Sequence, residues 1–236
     1  LNTVQTSETE AHALSSETAD PLVLENDVLR VQLDGATGDI TSLLDKRSNR
    51  ESIKAGGRGN RLVFLEDSHE RMPAWSIKYT GKVWDGGPVE SIERVESGPL
   101  RHCTRITRTV PLLPEGPATR IVQDVILEID SPIVRFVTRG DWHAKDVMLK
   151  TVFDLASPGT VSADGPYAVV EDARATASIK DADSQAEDQS LQDNSSTEDH
   201  DHYMQKWVDV SDGRQGMLFL NNGLYGFDML GDALRL

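Results

Sequence analysis

The sequence predicts an all-β protein, folded as one large antiparallel β-sandwich with little helix. Three observations support this fold class. Apolar and polar residues alternate within short segments, such segments recur roughly every ten residues, and glycine, proline and aspartate separate them. Apolar spacing of the helical kind is nowhere sustained for three turns. This rhythm is typical of sandwiches built from many short strands.

The first predicted element is a β-hairpin. Residues 22–24 and 28–33 carry alternating side chains, residues 34–39 form a turn rich in aspartate and glycine, and residues 40–44 form the return strand. Further strands follow along the chain, each bounded by turn residues. They are predicted at residues 61–66, 75–79, 82–84, 89–96, 100–110, 119–129, 133–139, 147–155, 167–170, 205–210 and 217–220.

Two segments fall outside the strand pattern. Residues 1–20 are polar and aperiodic, which predicts a disordered leader without the basic and apolar regions of a signal peptide. Residues 173–202 consist mostly of alanine, serine, aspartate, glutamine and glutamate, which predicts a flexible acidic loop. Apart from this loop, residues 21–236 are expected to form a single β-sandwich domain.

The charge of the chain is strongly negative. It has 39 acidic and 24 basic residues, giving a net charge of −15. Nucleic acids and anionic membranes are bound by clustered cations, so this composition argues against both. The sequence also has no run of about 18 apolar residues, as a transmembrane helix needs. A heavily solvated acidic surface suits high salt, where screening weakens self-repulsion. We therefore expect a cytoplasmic protein from a halophilic source.

One polar triplet lies at a tight connection between strands. Asp141, Trp142 and His143 follow the strand predicted at 133–139 and precede the one at 147–155. A histidine with a nearby carboxylate is the arrangement of an oriented general base. No serine or cysteine stands in the context of a nucleophile. The alternative is a structural turn in which Trp142 covers an edge of the core.

Metal-ligand residues cluster once, at Asp199-His200-Asp201-His202. Imidazole and carboxylate both suit zinc, so His200 and His202 are weak candidate ligands. Their neighbours belong to the acidic tract, which favours a solvated loop instead. Cys103 is the single cysteine and is expected in the core, so one chain contains neither a disulfide nor a thiolate site. The glycine-rich residues 56–60 lead into a strand, which excludes a phosphate-binding helix N-terminus.

Several blocks of the sequence follow one another in the order of a known family. They are residues 24–31, 38–45, 59–62, 66–67 with 74–75, 96–101, 141–143 with 149–150 and 153, 206–211, 216, 221–223 and 225–228. On these blocks the chain resembles the C-terminal β-sandwich region of family 38 α-mannosidases. The resemblance extends over about residues 21–236, and it implies a supersandwich similar to that of galactose mutarotase.

The resemblance also implies a function for the parent protein. Members are retaining, zinc-dependent exo-α-mannosidases that hydrolyse terminal α-mannosides with an aspartate nucleophile and a second carboxylic acid. In the family these groups and the zinc ligands lie in an N-terminal α/β domain and just after it. Nothing in this sequence corresponds to that domain, so no catalytic or metal-binding residue is carried over. By itself the chain is expected to be inactive and to bind no zinc.

The resemblance therefore implies a structural or cleft-lining domain. Its expected partners are the N-terminal catalytic domain, the mannoside substrate and further copies of the chain in a homo-oligomer. Some loops of this region reach the substrate cleft in the family. The residues expected there are Asp141, Trp142, His143, Tyr167, Glu171 and Trp207.

Two other functions compete with this hypothesis. A freestanding carbohydrate-binding or scaffolding module would use exposed aromatic platforms, for which the chain offers Trp75, Trp84, Trp142 and Trp207. A mutarotase-like enzyme would need a histidine and a glutamate in a concave sheet, and neither His102 nor His143 has such surroundings. A large exposed apolar patch would favour a domain that packs against a partner, since independent modules rarely expose one.

Overall fold

The computed structural model describes residues 20–68, 79–112, 116–157, 159–171 and 202–236. These residues contain strands and no helix, which confirms the all-β prediction. No helix that could cross a membrane occurs among them. The strands are β1 (Val23–Glu25), β2 (Leu29–Leu33), β3 (Ile40–Asp45), β4 (Arg50–Glu51), β5 (Arg61–Asp67), β6 (Tyr79–Asp85), β7 (Ser91–Ser97), β8 (Arg101–Val110), β9 (Thr119–Glu128), β10 (Val134–Asp141), β11 (Val147–Asp154), β12 (Thr160–Gly165), β13 (Ala168–Val170), β14 (His202–Tyr203), β15 (Trp207–Ser211), β16 (Gly216–Leu220), β17 (Gly226–Leu230) and β18 (Ala233–Arg235).

Four antiparallel sheets build the fold. The first has the order β1-β2-β3-β4, and the second has the order β10-β9-β8-β7. The third is six-stranded, in the order β14-β17-β18-β11-β5-β6, and the fourth has the order β13-β12-β15-β16. Neighbours close in sequence are joined by hairpins, but β18 lies between β17 and the much earlier β11. The third sheet is therefore held together by contacts between distant parts of the chain.

The longest strands show how the alternating pattern becomes a two-faced sheet. β8 and β9 pair over ten residues, with Arg105 opposite Asp124 on the outward side. There the Arg105 guanidinium binds both carboxylate oxygens of Asp124 at 2.7 and 3.0 Å. Hydrogen bonds from Arg105 and then Arg139 hold the pKa of Asp124 below its usual range. The opposite side of β8 presents Ile106 to the core.

The core lies where the sheets face one another. The main cluster draws apolar side chains from all four sheets, including Val31, Val125, Phe153 and Val208. A smaller cluster joins the second and third sheets around Leu62, Phe64, Val110, Leu112 and Ile121. Each fully buried aliphatic or aromatic side chain of this kind contributes about 1.5–3 kcal/mol to stability.

One charged cluster is buried inside the third sheet. Asp228 on β17 contacts both Lys150 on β11 and Arg235 on β18. The side chains of Asp228 and Lys150 are 2% and 5% exposed, so solvent screens their attraction little. The Lys150 ammonium also lies 5.8 Å from the ring centroid of Tyr79. This cluster ties three strands together in the region where the chain's last strand joins the sheet.

The structure corrects several boundaries expected from the sequence. β12, β17 and β18 were not among the predicted strands, because their residues alternate weakly and include several glycines and aspartates. Asp141 ends β10 rather than following it, since its backbone still pairs with Arg120. His202 lies in β14 and not in the acidic loop. The predicted leader, the rest of that loop with His200, and Trp75 lie outside the described residues.

Candidate functional site

The triplet Asp141-Trp142-His143 turns the chain at the end of β10. His143 Nε2 lies 3.1 Å from Asp141 Oδ2, so the predicted pairing of histidine and carboxylate is present. The backbone N–H of His143 donates a hydrogen bond to Thr119 Oγ1 at 3.2 Å, which fixes the loop against the start of β9. The Asp141 side chain is 77% exposed. The pair can therefore exchange hydrogen bonds with a ligand.

Trp142 rests on the smaller core cluster. Its ring stacks on Phe64, with 6.1 Å between the ring centroids and 27° between the planes. Phe64 is fully buried, whereas Trp142 is 41% exposed. Trp84 lies directly across the strand pair from Phe64. Trp142 thus covers an edge of the core with one face of its indole, as the structural alternative predicted, and directs the remaining surface outward.

A second group of predicted residues lies on the fourth sheet, which buries one face and exposes the other. Val161, Ala163, Val208 and Val210 point inward and belong to the main core. The residues between them point outward, in a register that sets Trp207 opposite Leu220 and Asp209 opposite Leu218. We call this surface the outer face, formed by Val169, Trp207, Asp209, Leu218 and Leu220.

The outer face is unusually apolar for a solvent-facing sheet. Leu218 is 55% exposed and Leu220 59%, and Val169 is exposed to a similar extent. Side chains of these types are ordinarily removed from water in a folded protein. Asp209 lies among them, and burial raises the pKa of its carboxyl group. A second protein surface packed on this face would bury both the leucines and the Asp209 carboxylate.

Asp164 organises the strand beside Trp207. Its carboxylate accepts hydrogen bonds from the backbone N–H groups of Gln205, Lys206 and Trp207 at 2.8–3.0 Å. Burial pulls the pKa of Asp164 upward, but these hydrogen bonds together lower it. The carboxylate therefore stays ionised and holds the start of β15 in place. This contact joins residues about 40 positions apart in the chain, so no local sequence pattern predicts it.

Tyr167 stands at the tip of the hairpin that joins β12 to β13. It follows Pro166 and has a φ of +66°, in the left-handed region where glycine or asparagine is favoured. Its side chain is fully exposed. A bulky residue held there costs about 1–2 kcal/mol relative to an unstrained position.

The predicted cleft residues thus fall into two groups on different sheets. Asp141, Trp142 and His143 lie together at the end of the second sheet. Trp207 and Tyr167 belong to the fourth sheet, and the exposed Glu171 follows directly after β13. The leucines of the outer face were not among the predicted site residues. Their signal was an edge strand, Gly216–Leu220, that is apolar on both sides.

Comparison with known proteins decides the family. The profile described as "Glycosyl hydrolases family 38 C-terminal domain" matches residues 24–236. The chain belongs to this family. Two relatives of the family 38 domain are alpha-mannosidase 2C1 from Mus musculus and from Homo sapiens, each 30% identical over 226 residues. The match covers 93% of the chain and 20% of each relative, so the chain spans about a fifth of their length.

Other relatives agree with this family. Alpha-mannosidase G from Dictyostelium discoideum is 28% identical over 135 residues, which are 55% of the chain and 12% of that protein. The crystal structure of an alpha-mannosidase from Enterococcus faecalis V583 superposes with a TM-score of 0.70 at 16% identity. That superposition covers 91% of the family 38 domain and 25% of the Enterococcus chain, and it supports the β-sandwich fold.

The family implies zinc, so we tested whether the side chains of the domain fit a metal. In the part of the chain that the structure describes, no three or more histidine, cysteine, aspartate or glutamate side chains come together in a way that could hold an ion. The His202 ring instead packs at a tilt of 37° against Phe227, with ring centroids 5.4 Å apart. The described residues of the family 38 domain therefore do not fit a zinc site.

Proposed function

We propose that the chain is the non-catalytic C-terminal domain of a retaining, zinc-dependent exo-α-mannosidase that hydrolyses terminal α-mannosides. In this proposal it packs against the N-terminal catalytic domain and supports it. The observation that carries the proposal is the outer face, a sheet surface on which Leu218 and Leu220 are more than half exposed. Covering an exposed apolar face with another protein surface is favourable, because the contact removes apolar side chains from water.

The chemistry of the outer face limits which surface can cover it. Contact with an apolar surface would bury the side chains of Val169, Trp207 and the leucines. Asp209 loses further water in the same contact, and an unpaired buried carboxylate is costly. The catalytic domain is therefore proposed to place an arginine or lysine opposite Asp209. Tyr167 stands at one end of the same sheet, where its exposed ring can extend the contact.

Hydrolysis of an aryl α-mannoside tests the assignment of the chemistry. The isolated chain is expected to show no turnover in the presence of zinc and high salt, because the proposal assigns the zinc ligands and the catalytic carboxylates to the N-terminal domain. A family 38 α-mannosidase that includes a catalytic domain serves as the positive control. Turnover by the isolated chain that a chelator abolishes would contradict the proposal. Asp141 and His143 would then be the first residues to mutate.

Self-association of the isolated chain tests the outer face. Without its partner the face is expected to pair with that of a second copy, so sedimentation velocity should show dimers that increase with protein concentration. Replacing Leu218 and Leu220 together with glutamate should weaken this association by about tenfold or more, because two apolar contacts become charged.

The control for this pair changes equally exposed residues elsewhere. Leu100 and Ile133 are 73% and 50% exposed and lie outside the fourth sheet. Replacing both with glutamate adds the same charge but is expected to leave the association unchanged. A wild-type chain that stays monomeric at high concentration, or an equal effect of the two double variants, would show that the outer face is not a docking surface.

A further inference from the structure

We propose that Asp209 selects the partner of the outer face. Its negative charge opposes pairing of this face with the same face of a second copy, and protonation of its carboxyl group removes that opposition. The inference rests on the docking role proposed above and adds to it how the docking is regulated. It makes self-association of the chain depend on pH, whereas a partner with a cation opposite Asp209 is not opposed by the charge.

The position of Asp209 on the sheet ties it to the apolar contact. β15 lies between β12 and β16, and Asp209 is the middle residue of this strand. Its cross-strand neighbours are Ser162 on β12 and Leu218 on β16. Trp207 lies two residues earlier on the same side of β15, because side chains alternate along a strand. A surface that covers Leu218 must therefore also cover the Asp209 carboxylate.

The outward side of the sheet offers this carboxylate no positive charge. On that side β16 contributes only glycine and leucine, and β13 contributes Val169, with Glu171 just beyond its end. Asp164 on β12 is a second acid, and its carboxylate binds the backbone N–H groups of residues 205–207. Burial alone raises the pKa of Asp209, and no hydrogen bond or charge in the described part of the chain counters the shift.

Cations do occur at the two ends of the β15–β16 hairpin. Lys206 precedes β15, and Arg214 lies with Asp212 in the turn before β16. Arg50 on β4 contacts the same turn, where its Nη1 donates a hydrogen bond to the carbonyl oxygen of Arg214 at 3.3 Å. None of these groups contributes to the pKa shift of Asp209. A partner therefore meets the carboxylate without compensation from its own sheet.

A second copy cannot supply the missing cation. Two-fold pairing brings the same surface of both chains together, so each outer face meets the same five side chains, which include a carboxylate and no cation. Two unpaired carboxylates then lose water in one apolar contact, which is costly. A surface that sets an arginine or lysine opposite Asp209 gains an ion pair instead. One charged position thus distinguishes between partners that bury the same leucines.

The direction of the pH dependence follows from burial. Pairing removes more water from Asp209, so its pKa is higher in the dimer than in the free chain. The carboxyl group therefore takes up a proton on association. Association is strongest below the pKa of the free chain and weakens as the pH rises towards the pKa in the dimer. Within this window the dissociation constant rises by up to about tenfold per pH unit for each carboxyl group involved.

The test is sedimentation equilibrium of the isolated chain at several values between about pH 5.5 and pH 8. This range lies above the isoelectric point of about 4.7, and one fixed high salt concentration screens the net charge. The wild-type dimer is expected to dissociate increasingly as the pH rises. Asp209→Asn should lose this part of the pH dependence. At the upper end of the range it should dimerise about tenfold or more tightly than the wild-type chain.

Asp27→Asn is the matched control, because it removes one exposed carboxylate from the turn between β1 and β2, outside the fourth sheet. It should keep the wild-type dissociation constant and pH dependence, and circular dichroism checks that each variant is folded. Dimers that are insensitive to pH, or an equal pH dependence in Asp209→Asn, would overturn the role of Asp209 and leave the docking face standing. If the wild-type chain and Asp209→Asn both stayed monomeric throughout, the docking face itself would be contradicted, and this inference with it.

Discussion

Replacing Asp228 with asparagine is expected to reduce the free energy of unfolding by about 3 kcal/mol or more. Asp228 provides the carboxylate that Lys150 and Arg235 share inside the third sheet. The asparagine side chain keeps the shape but removes the negative charge, so two cations remain close together where water reaches them poorly. Urea denaturation followed by circular dichroism measures the change.

Asp232→Asn is the matched control for this substitution. Asp232 pairs with Lys54 at 3.1 Å, but both side chains are about half exposed. The same loss of one charge should therefore change the free energy of unfolding by about 0.5 kcal/mol or less. If both variants were destabilised equally, the burial of the Asp228 cluster would not explain its effect. The measurement should be made at one fixed high salt concentration, because screening acts mainly on the exposed pair.

A single methyl group at Gly159 is expected to destabilise the fold by about 3 kcal/mol. A Cβ atom built there would lie 2.0 Å from the carbonyl oxygen of Ser211 and 2.6 Å from the backbone nitrogen of Asp212. Both neighbours are backbone atoms, so no side-chain rotation relieves the clash. Gly159→Ala therefore forces β12 away from β15 at the point where Thr160 pairs with Ser211. The fall in thermal melting temperature measures the cost.

Gly98→Ala provides the comparison for this prediction. Gly98 lies in the turn between β7 and β8, and a Cβ atom there would meet nothing within 4 Å. Its φ is not among the positive values, so alanine fits without strain. This variant is expected to stay within about 0.5 kcal/mol of the wild-type stability. An unchanged melting temperature for Gly159→Ala would mean that β12 and β15 separate more easily than their close approach indicates.

The fold class was predictable because local alternation and turn chemistry agree along most of the chain. β8 and β9 illustrate this, since Arg105 and Asp124 pair on one side while apolar residues such as Ile106 and Val125 meet the core on the other. β12 was missed because its core residues, Val161 and Ala163, are small and are separated by polar residues. Pairing with β15 buries both completely, and that partner lies far along the chain.

One local contact in the candidate site was predictable from the sequence, but the wider geometry was not. Asp141 and His143 are close in sequence, so their pairing follows from local structure. The stacking of Trp142 on Phe64 joins residues from distant strands, which no local pattern encodes. The exposure of the outer face could not be predicted for a related reason. An apolar strand such as β16 predicts burial on both sides, and only the sheet order shows that one side faces outward.

The position of β18 has a consequence for how the chain is made. β11 pairs with β5 on one side and with β18 on the other, but a ribosome delivers residues 233–235 long after residues 147–154. Until then one edge of β11 is open in the nascent chain, with unpaired amide and carbonyl groups that other strands can capture. The third sheet is therefore completed late, by contacts between residues far apart in the chain. We expect this domain to fold slowly and to depend on chaperones.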